Sequence, residues 1–375
     1  MADVFFYGTL CHAPLLEVVL ARPAAEIDAV PAVLGQHGVW WVAGHAFPMI
    51  AEEEGAQAEG LLVRGLSETD VARLSYYEGG FDYALRDVVV TCDDRQAPAQ
   101  VYFPANDRWQ AGARWDLNDW AGRWAAMTLS AASEVMVQFG VKPVDAVQGL
   151  WPFFCARGWA QELAAEGAPQ TLRSSMTRDD VKILRYHAGY DGFFRLRTYD
   201  VQRKRFDGTQ GDVVTREAFV AYDAALVLPY DPVSDQVMLI EQLRYGPVHR
   251  GDPAPWVLEP IAGLVDAGEN PADCARREAV EEAGLTLGDL RAMTKVYASP
   301  GYTTEFFHCF LGLCPLEKRD EGINGLDEEN EDIRSHVIPF DTAMALVDSG
   351  EINVGPLVMM LLWLGRHRAA LRAPT

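Results

Sequence analysis

The sequence predicts a mixed chain, α+β in its first half and α/β in its second, built as two units joined by helices. Three observations carry that prediction. Short apolar alternations around one capped helix fill residues 2–106, and a Trp- and Ala-rich stretch of helical character follows over 109–169. A strand at 223–228 then leads into a loop and a capped helix at 263–285. The composition shifts set the expected boundaries: a first domain over 1–107, a helical linker over 108–175 and a second domain over 176–375.

Taken in order, residues 4–7 read as a first strand, Gly8 as a turn, and the run 15–20 as a helix. Alternating stretches at 60–63 and 87–90 flank a helix predicted from Ser67 to Tyr77. Ser67 suits the N-cap, with Asp70 three residues on to complete a capping box. Trp115, Trp120, Trp124, Trp151 and Trp159 are read as packing within the helical linker. In the second domain, Asn270 suits an N-cap, Pro271 the first helical position and Gly284 the left-handed residue that ends the helix. The apolar run 354–364 is too short to span a bilayer and predicts a packed terminal helix. No internal repeat or low-complexity tract interrupts these elements.

With 375 residues and 49% hydrophobic content, the chain is long enough for two separate cores. A formal net charge of −22 argues against a nucleic-acid backbone or an anionic membrane as the main partner. Cysteines 11, 92, 155, 274, 309 and 314 form no closely spaced pair, which predicts reduced thiols and a cytoplasmic protein. No basic segment precedes the apolar residues 4–7, so a soluble protein without a signal peptide is expected.

The most informative run is 263–285. Gly263 is followed by Glu269, then by Arg277, Glu278, Glu281, Glu282 and Gly284. Glu278, Glu281 and Glu282 stand at i, i+3 and i+4, so their carboxylates converge on one helix face. Three like charges there repel each other, and a hard divalent cation with oxygen ligands reverses that cost. This run resembles the Nudix box of hydrolases that cut a nucleoside diphosphate linked to another group. Ala279, small where a bulkier aliphatic is commoner, is its one departure. Pro300, sixteen residues after Gly284, resembles the ADP-ribose pyrophosphatase branch, and the likeness extends over about 178–370.

That resemblance implies Mg²⁺ (or Mn²⁺) held by Glu278, Glu282, the backbone carbonyl of Ala262 and Glu281. It implies diphosphate contact by Arg244, whose planar fork suits bidentate recognition. Arg216 and Glu217 match positions near the adenosine end, and Phe193 or Phe194 is the expected adenine-stacking ring. Glu329 matches the general base, with Glu331 as the alternative occupant of that role. The implied reaction is hydrolysis of ADP-ribose to AMP and ribose 5-phosphate. A homodimer formed by exchange of strands within 193–215 is also implied. Hydrolysis of another nucleoside diphosphate sugar is the alternative within enzymes, and metabolite sensing the alternative outside them.

The first domain carries Tyr7-Gly8-Thr9-Leu10 and, farther on, Tyr77, Glu78, Gly79, Phe81 and Tyr83. These residues resemble the γ-glutamylcyclotransferase-like (AIG2-like) fold, a small mixed β-barrel. The resemblance implies a carboxylate-binding turn at residues 7–10 and an acid/base role for Glu78 in forming 5-oxoproline. Aromatic neighbours such as Tyr76, Tyr77 and Phe81 would raise the proton affinity of Glu78 by desolvation. An inactive, ligand-binding or scaffolding first domain stays open beside the catalytic one.

Overall fold

In the computed structural model, residues 1–79, 83–104, 109–316, 322–325 and 331–372 are described. The chain divides into one unit of Met1–Pro169 with Asp191–Phe193, and another of Gln170–Tyr190 with Phe194–Thr375.

The first unit runs β1 (Ala2–Phe6), α1 (Ala13–Leu20), β2 (Ala29–Val42), β3 (Pro48–Leu66), α2 (Glu68–Glu78), β4 (Tyr83–Cys92), β5 (Arg95–Pro104), β6 (Ala111–Arg114), α3 (Leu117–Met136), α4 (Val144–Gln148) and α5 (Trp151–Ala164). Its strands pair in the order β3-β1-β5-β4-β2-β6, with β3 paired to β2 as well. The β2–β3 ladder slips register between Gly35 and His37, where Gln36 takes a positive φ of 61°. Asp93 and Asp94 both adopt positive φ, 49° and 59°, as the two-residue turn between β4 and β5 requires. Phe5, Leu34, Ile50, Leu62, Val90 and Val101 form the centre of its core.

The capping box is present as expected. Ser67 Oγ accepts from the Asp70 N–H at 3.1 Å, and the Asp70 carboxylate accepts from the Ser67 N–H at 2.9 Å. The expected linker differs: as far as Pro169 it is part of the first unit. The reason is burial, because Trp120 is fully enclosed and its Nε1 donates to the Ala46 carbonyl at 3.0 Å. Arg157 and Glu134, also buried, lock α5 to α3 through an ion pair at 2.7 Å. The remaining tryptophans pack in the same unit, Trp115 on Trp41, Trp124 on Trp159 and Trp151 on Tyr77.

The second unit runs β7 (Val181–Tyr186), β8 (Tyr190–Asp191), β9 (Arg195–Arg203), β10 (Val214–Val220), β11 (Asp223–Asp231), β12 (Gln236–Leu243), α6 (Tyr245–Arg250), β13 (Trp256–Glu259), β14 (Ile261–Leu264), α7 (Pro271–Ala283), β15 (Leu290–Tyr297), β16 (Phe306–Leu313), β17 (Ile323–Asn324), β18 (Ile333–Pro339), α8 (Phe340–Ser349) and α9 (Gly355–Arg372). A small sheet pairs β10-β9-β7, with β8 on β9. The larger one pairs β15-β16-β11-β12-β18-β17, with β13 on β12 and β14 on β11.

Strand β11 is buried along nearly its whole length because it runs parallel to β16 at the middle of the sheet. Leu226, Leu228, Tyr230, Val237 and Leu239 face a core closed by Phe340, Leu357 and Leu361 of α8 and α9. Helix α7 packs against β11 and β14. The terminal run 354–364 is thus a packed helix, as expected, and no helix among the described residues is long and apolar enough to cross a membrane.

Candidate active site

Helix α7 is fixed at both ends by the residues that the sequence singles out. Asn270 Oδ1 accepts from the Ala272 N–H at 2.8 Å, and Gly284 takes a left-handed φ of 57°. The N–H groups of Gly284 and Leu285 return to the carbonyls of Val280 and Ala279 at 2.9 and 2.8 Å. Ala279 is fully buried, where a larger side chain would need room beneath the helix. Strand β14 passes so close to α7 that a Cβ on Gly263 would lie 1.8 Å from Glu278 Oε1. Only glycine leaves that carboxylate its place.

Around this contact the charges are arranged unevenly. Arg277 donates to both oxygens of Glu269 at 3.0 and 3.1 Å, to Glu278 at 2.6 Å and to Glu281 at 2.9 Å. Glu282, 1% exposed, accepts from the Ala262 N–H at 3.0 Å. Burial pushes the Glu278 carboxyl up to about 7, against the pull of Arg277. Burial likewise pushes Glu282 up to about 8, with the Ala262 N–H and Arg244 opposing and Glu278 and Glu331 adding to the rise. Glu331 therefore lies within electrostatic reach of both carboxylates.

These donors fit a hard divalent cation. They are oxygen ligands, they are partly desolvated, and they carry more negative charge than Arg277 neutralises. Among the described residues no three acidic, imidazole or thiol side chains close on an ion point by themselves. Arg277 draws Glu278 and Glu281 toward its own guanidinium.

Arg244 stands at the end of β12 and donates from Nε to Glu259 Oε2 at 2.7 Å. Its charge also lowers Glu305, whose carboxyl burial raises. Sequence reasoning missed Glu259 and Glu305 as partners of Arg244, since nothing in the local pattern distinguishes either from an ordinary strand or loop carboxylate. Pro300 sits in a loop pinned to β10, where the Phe219 N–H donates to the Tyr302 carbonyl at 2.7 Å and the Thr304 N–H to the Phe219 carbonyl at 3.0 Å. Arg216 and Glu217 lie on β10, facing Tyr199 and Thr198 of β9 in the small sheet, and both are exposed.

The two phenylalanines separate. Phe194 lies 4.8 Å from Phe219, whereas Phe193 packs edge-on against Phe153 at 4.4 Å and belongs to the first unit. Glu329 and the rest of 326–330 lie outside the described residues, as does Phe81.

In the first unit, Tyr7 and Glu78 come together with three further phenols, those of Tyr77, Tyr83 and Tyr102. Tyr7 Oη donates to the Tyr102 carbonyl at 3.0 Å, and Tyr83 Oη donates to the Pro48 carbonyl at 2.8 Å. A Cβ on Gly8 would lie 2.5 Å from Pro48 Cγ, so the turn after β1 is packed tightly beneath that proline. Thr9 and Leu10 follow in a short 3₁₀ turn, with Leu10 buried. Glu78 keeps some exposure as a residue, but protein atoms crowd its carboxyl, and burial pushes it up to about 8. The same carboxyl raises the phenols of Tyr7, Tyr77, Tyr83 and Tyr102, each already raised chiefly by its own burial.

A family model described as NUDIX domain matches residues 222–357. Another, described as Gamma-glutamyl cyclotransferase, AIG2-like, matches residues 4–122. The ADP-ribose pyrophosphatase of Escherichia coli (strain K12) is 39% identical over 204 residues, which span 54% of this chain and 97% of that protein. The ADP-ribose pyrophosphatase of Haemophilus influenzae is 40% identical over 198 residues, 52% of this chain and 91% of that one. The GDP-mannose pyrophosphatase of Citrobacter koseri is 35% identical over 178 residues, 46% and 89% respectively.

Proposed function

The chain belongs to the Nudix hydrolases of the ADP-ribose pyrophosphatase family, with an AIG2-like domain at its N-terminal side, and on that premise we propose that its second unit hydrolyses ADP-ribose to AMP and ribose 5-phosphate with Mg²⁺. The observation that carries this reading is the pair of carboxylates, half-buried Glu278 and buried Glu282, gathered against Gly263 and Ala262 inside the matched region. Glu278, Glu281, Glu282 and the Ala262 carbonyl are the residues that would hold the ion. When bound, the ion supplies charge for the diphosphate and acidity for an attacking water.

The chain's own groups do the rest. Arg244, oriented by Glu259, meets the diphosphate oxygens as they gain charge. Glu329, or Glu331 in its place, takes the proton of the water. In-line attack on one phosphorus breaks the P–O–P bridge, and the bridging oxygen leaves with the other phosphate. Pro300 shapes the loop beside the site, and Arg216 and Glu217 serve the adenosine end. Phe193 or Phe194 would stack on adenine; both rings are half exposed, and each packs on a neighbour, Phe153 and Phe219 respectively.

The GDP-mannose pyrophosphatase relative favours a second reading, in which another nucleoside diphosphate sugar is the substrate. A panel of nucleoside diphosphate compounds, incubated with Mg²⁺ or EDTA and read by phosphatase-coupled phosphate release, separates the two. Fastest turnover of ADP-ribose, lost in EDTA, supports the first reading. Preference for a sugar nucleotide with another base supports the second.

For the first unit, the double pairing of β3, with β1 and with β2, supports a small mixed barrel. Glu78 would act as its acid/base group. The α-amine of a γ-glutamyl compound attacks the γ-carbonyl, the amide C–N bond breaks, and Glu78 carries the proton to the leaving amine, giving 5-oxoproline. Assay of the whole chain on γ-glutamyl dipeptides tests this, and no product would leave a ligand-binding role.

A homodimer through the small sheet is supported by the exposed apolar side chains of Leu184, Tyr186, Leu196 and Val214 on its strands. Light scattering at micromolar concentration should give twice the mass of one chain. Six free cysteines support a cytoplasmic location.

A further inference from the structure

Strand β12 has two faces of different character. Val237 and Leu239 enter the core under α8 and α9. By the two-residue period of a strand, Ile240 and Gln242 therefore lie on the other face of the sheet, the one that α7 covers through β11 and β14, and Arg244 follows one residue after the strand. Gln242 is only 7% exposed, and its Nε2 is buried without a hydrogen-bond partner among the described residues. An amide left in that state is destabilising, so a group retained there calls for a partner that arrives later.

Its surroundings point to the chemistry of that partner. Arg244 lies two residues on, and the Glu259 that it bonds pairs across the sheet with Ile240, two residues back. Gln242 thus occupies the register position between the two ends of that ion pair. Glu282 and Glu305 also feel the charge of Arg244. A second cation in this carboxylate-rich corner would be drawn onto those carboxylates. A neutral amide is not, and keeps its N–H groups for an incoming acceptor.

We propose that Gln242 is a further substrate-binding residue, whose side-chain amide donates to a non-bridging oxygen of the diphosphate beside Arg244. The inference rests on the reading of the second unit as a diphosphate hydrolase. Its signature is a split between affinity and stability. Gln242→Leu removes the polar group at nearly constant volume, so the full-length chain should melt at the same temperature or higher. KM for ADP-ribose should meanwhile rise about tenfold or more, the scale of one charge-assisted hydrogen bond. Gln242→Glu places an anion against the diphosphate and should weaken binding further.

Unchanged KM and kcat in Gln242→Leu overturn the proposal. So does a loss of activity that comes with a matching loss of melting temperature, the mark of a purely structural amide. Should the wild-type chain leave ADP-ribose intact, the parent reading fails, and calorimetry with ADP and Mg²⁺ still decides the matter of Gln242. Weaker ADP binding in Gln242→Leu than in wild type upholds the contact. Equal binding, or none to the wild type, overturns it.

Discussion

The two units each enclose carboxyl groups with raised proton affinity, and in each the first cause is burial. On α7 the carboxylates Glu278 and Glu282 share their space with Arg277 and Arg244, and negative charge is still in surplus. At the end of α2, Glu78 is surrounded instead by Tyr7, Tyr77, Tyr83 and Tyr102. The first arrangement calls for a cation, and the second for a proton. A raised carboxyl therefore does not name the work of a group, which depends on its neighbours.

The largest expected effect breaks the metal side of that comparison. Glu282→Gln keeps the shape and removes one ligand charge, so ADP-ribose turnover should fall about a hundredfold or more. Activity near wild type would reject the assignment. Gly263→Ala tests the same site by steric means. Its Cβ would lie 1.8 Å from Glu278 Oε1, so the carboxylate must move. Turnover should drop by roughly tenfold or more while circular dichroism stays native-like.

Glu78→Gln addresses the proton side. It should abolish any formation of 5-oxoproline and leave ADP-ribose hydrolysis within about twofold, since sites without shared partners act additively. It should also change how stability depends on pH. Because folding raises the Glu78 carboxyl from 4.5 to about 8, the folded state binds a proton that the unfolded state releases in that interval. The stabilisation is complete below about 4.5 and is lost as pH rises toward 8. Melting temperatures of wild type and Glu78→Gln, compared across that interval, should show the wild type falling more steeply. Parallel curves would mean that the carboxyl is not held protonated.

The smallest effect compares the caps. Ser67→Ala at the start of α2 and Asn270→Ala at the start of α7 should each cost about 1 kcal/mol in denaturant unfolding. A much larger loss of hydrolysis than of stability in Asn270→Ala would show that α7 must be held more rigidly than α2.

The helix α7 was legible in the sequence nearly residue by residue. Its caps, its crowded carboxylates and Gly263 depend on spacings within one short segment. The long β2–β3 ladder was not legible, because the positive φ at Gln36 breaks the two-residue alternation that marks a strand. The helices after β6 stood apart by composition, while their membership of the first unit depends on contacts such as Trp120 with Ala46, far apart in sequence. Glu259, Glu305 and Gln242 were missed for the same reason. Each gains meaning only from its place around Arg244, which the sheet register supplies.

The close approach at Gly263 has a practical consequence for anyone who wishes to label or diversify this helix. Where Gly263 meets Glu278 of α7 there is no room for an added Cβ, whereas Val280, on the same helix, is 53% exposed. A cysteine placed at 280 would be reachable by a thiol-reactive dye, while five of the six native thiols are buried. A fluorophore there would ride on the helix that carries the carboxylates, and could report cation arrival in real time without a substrate present.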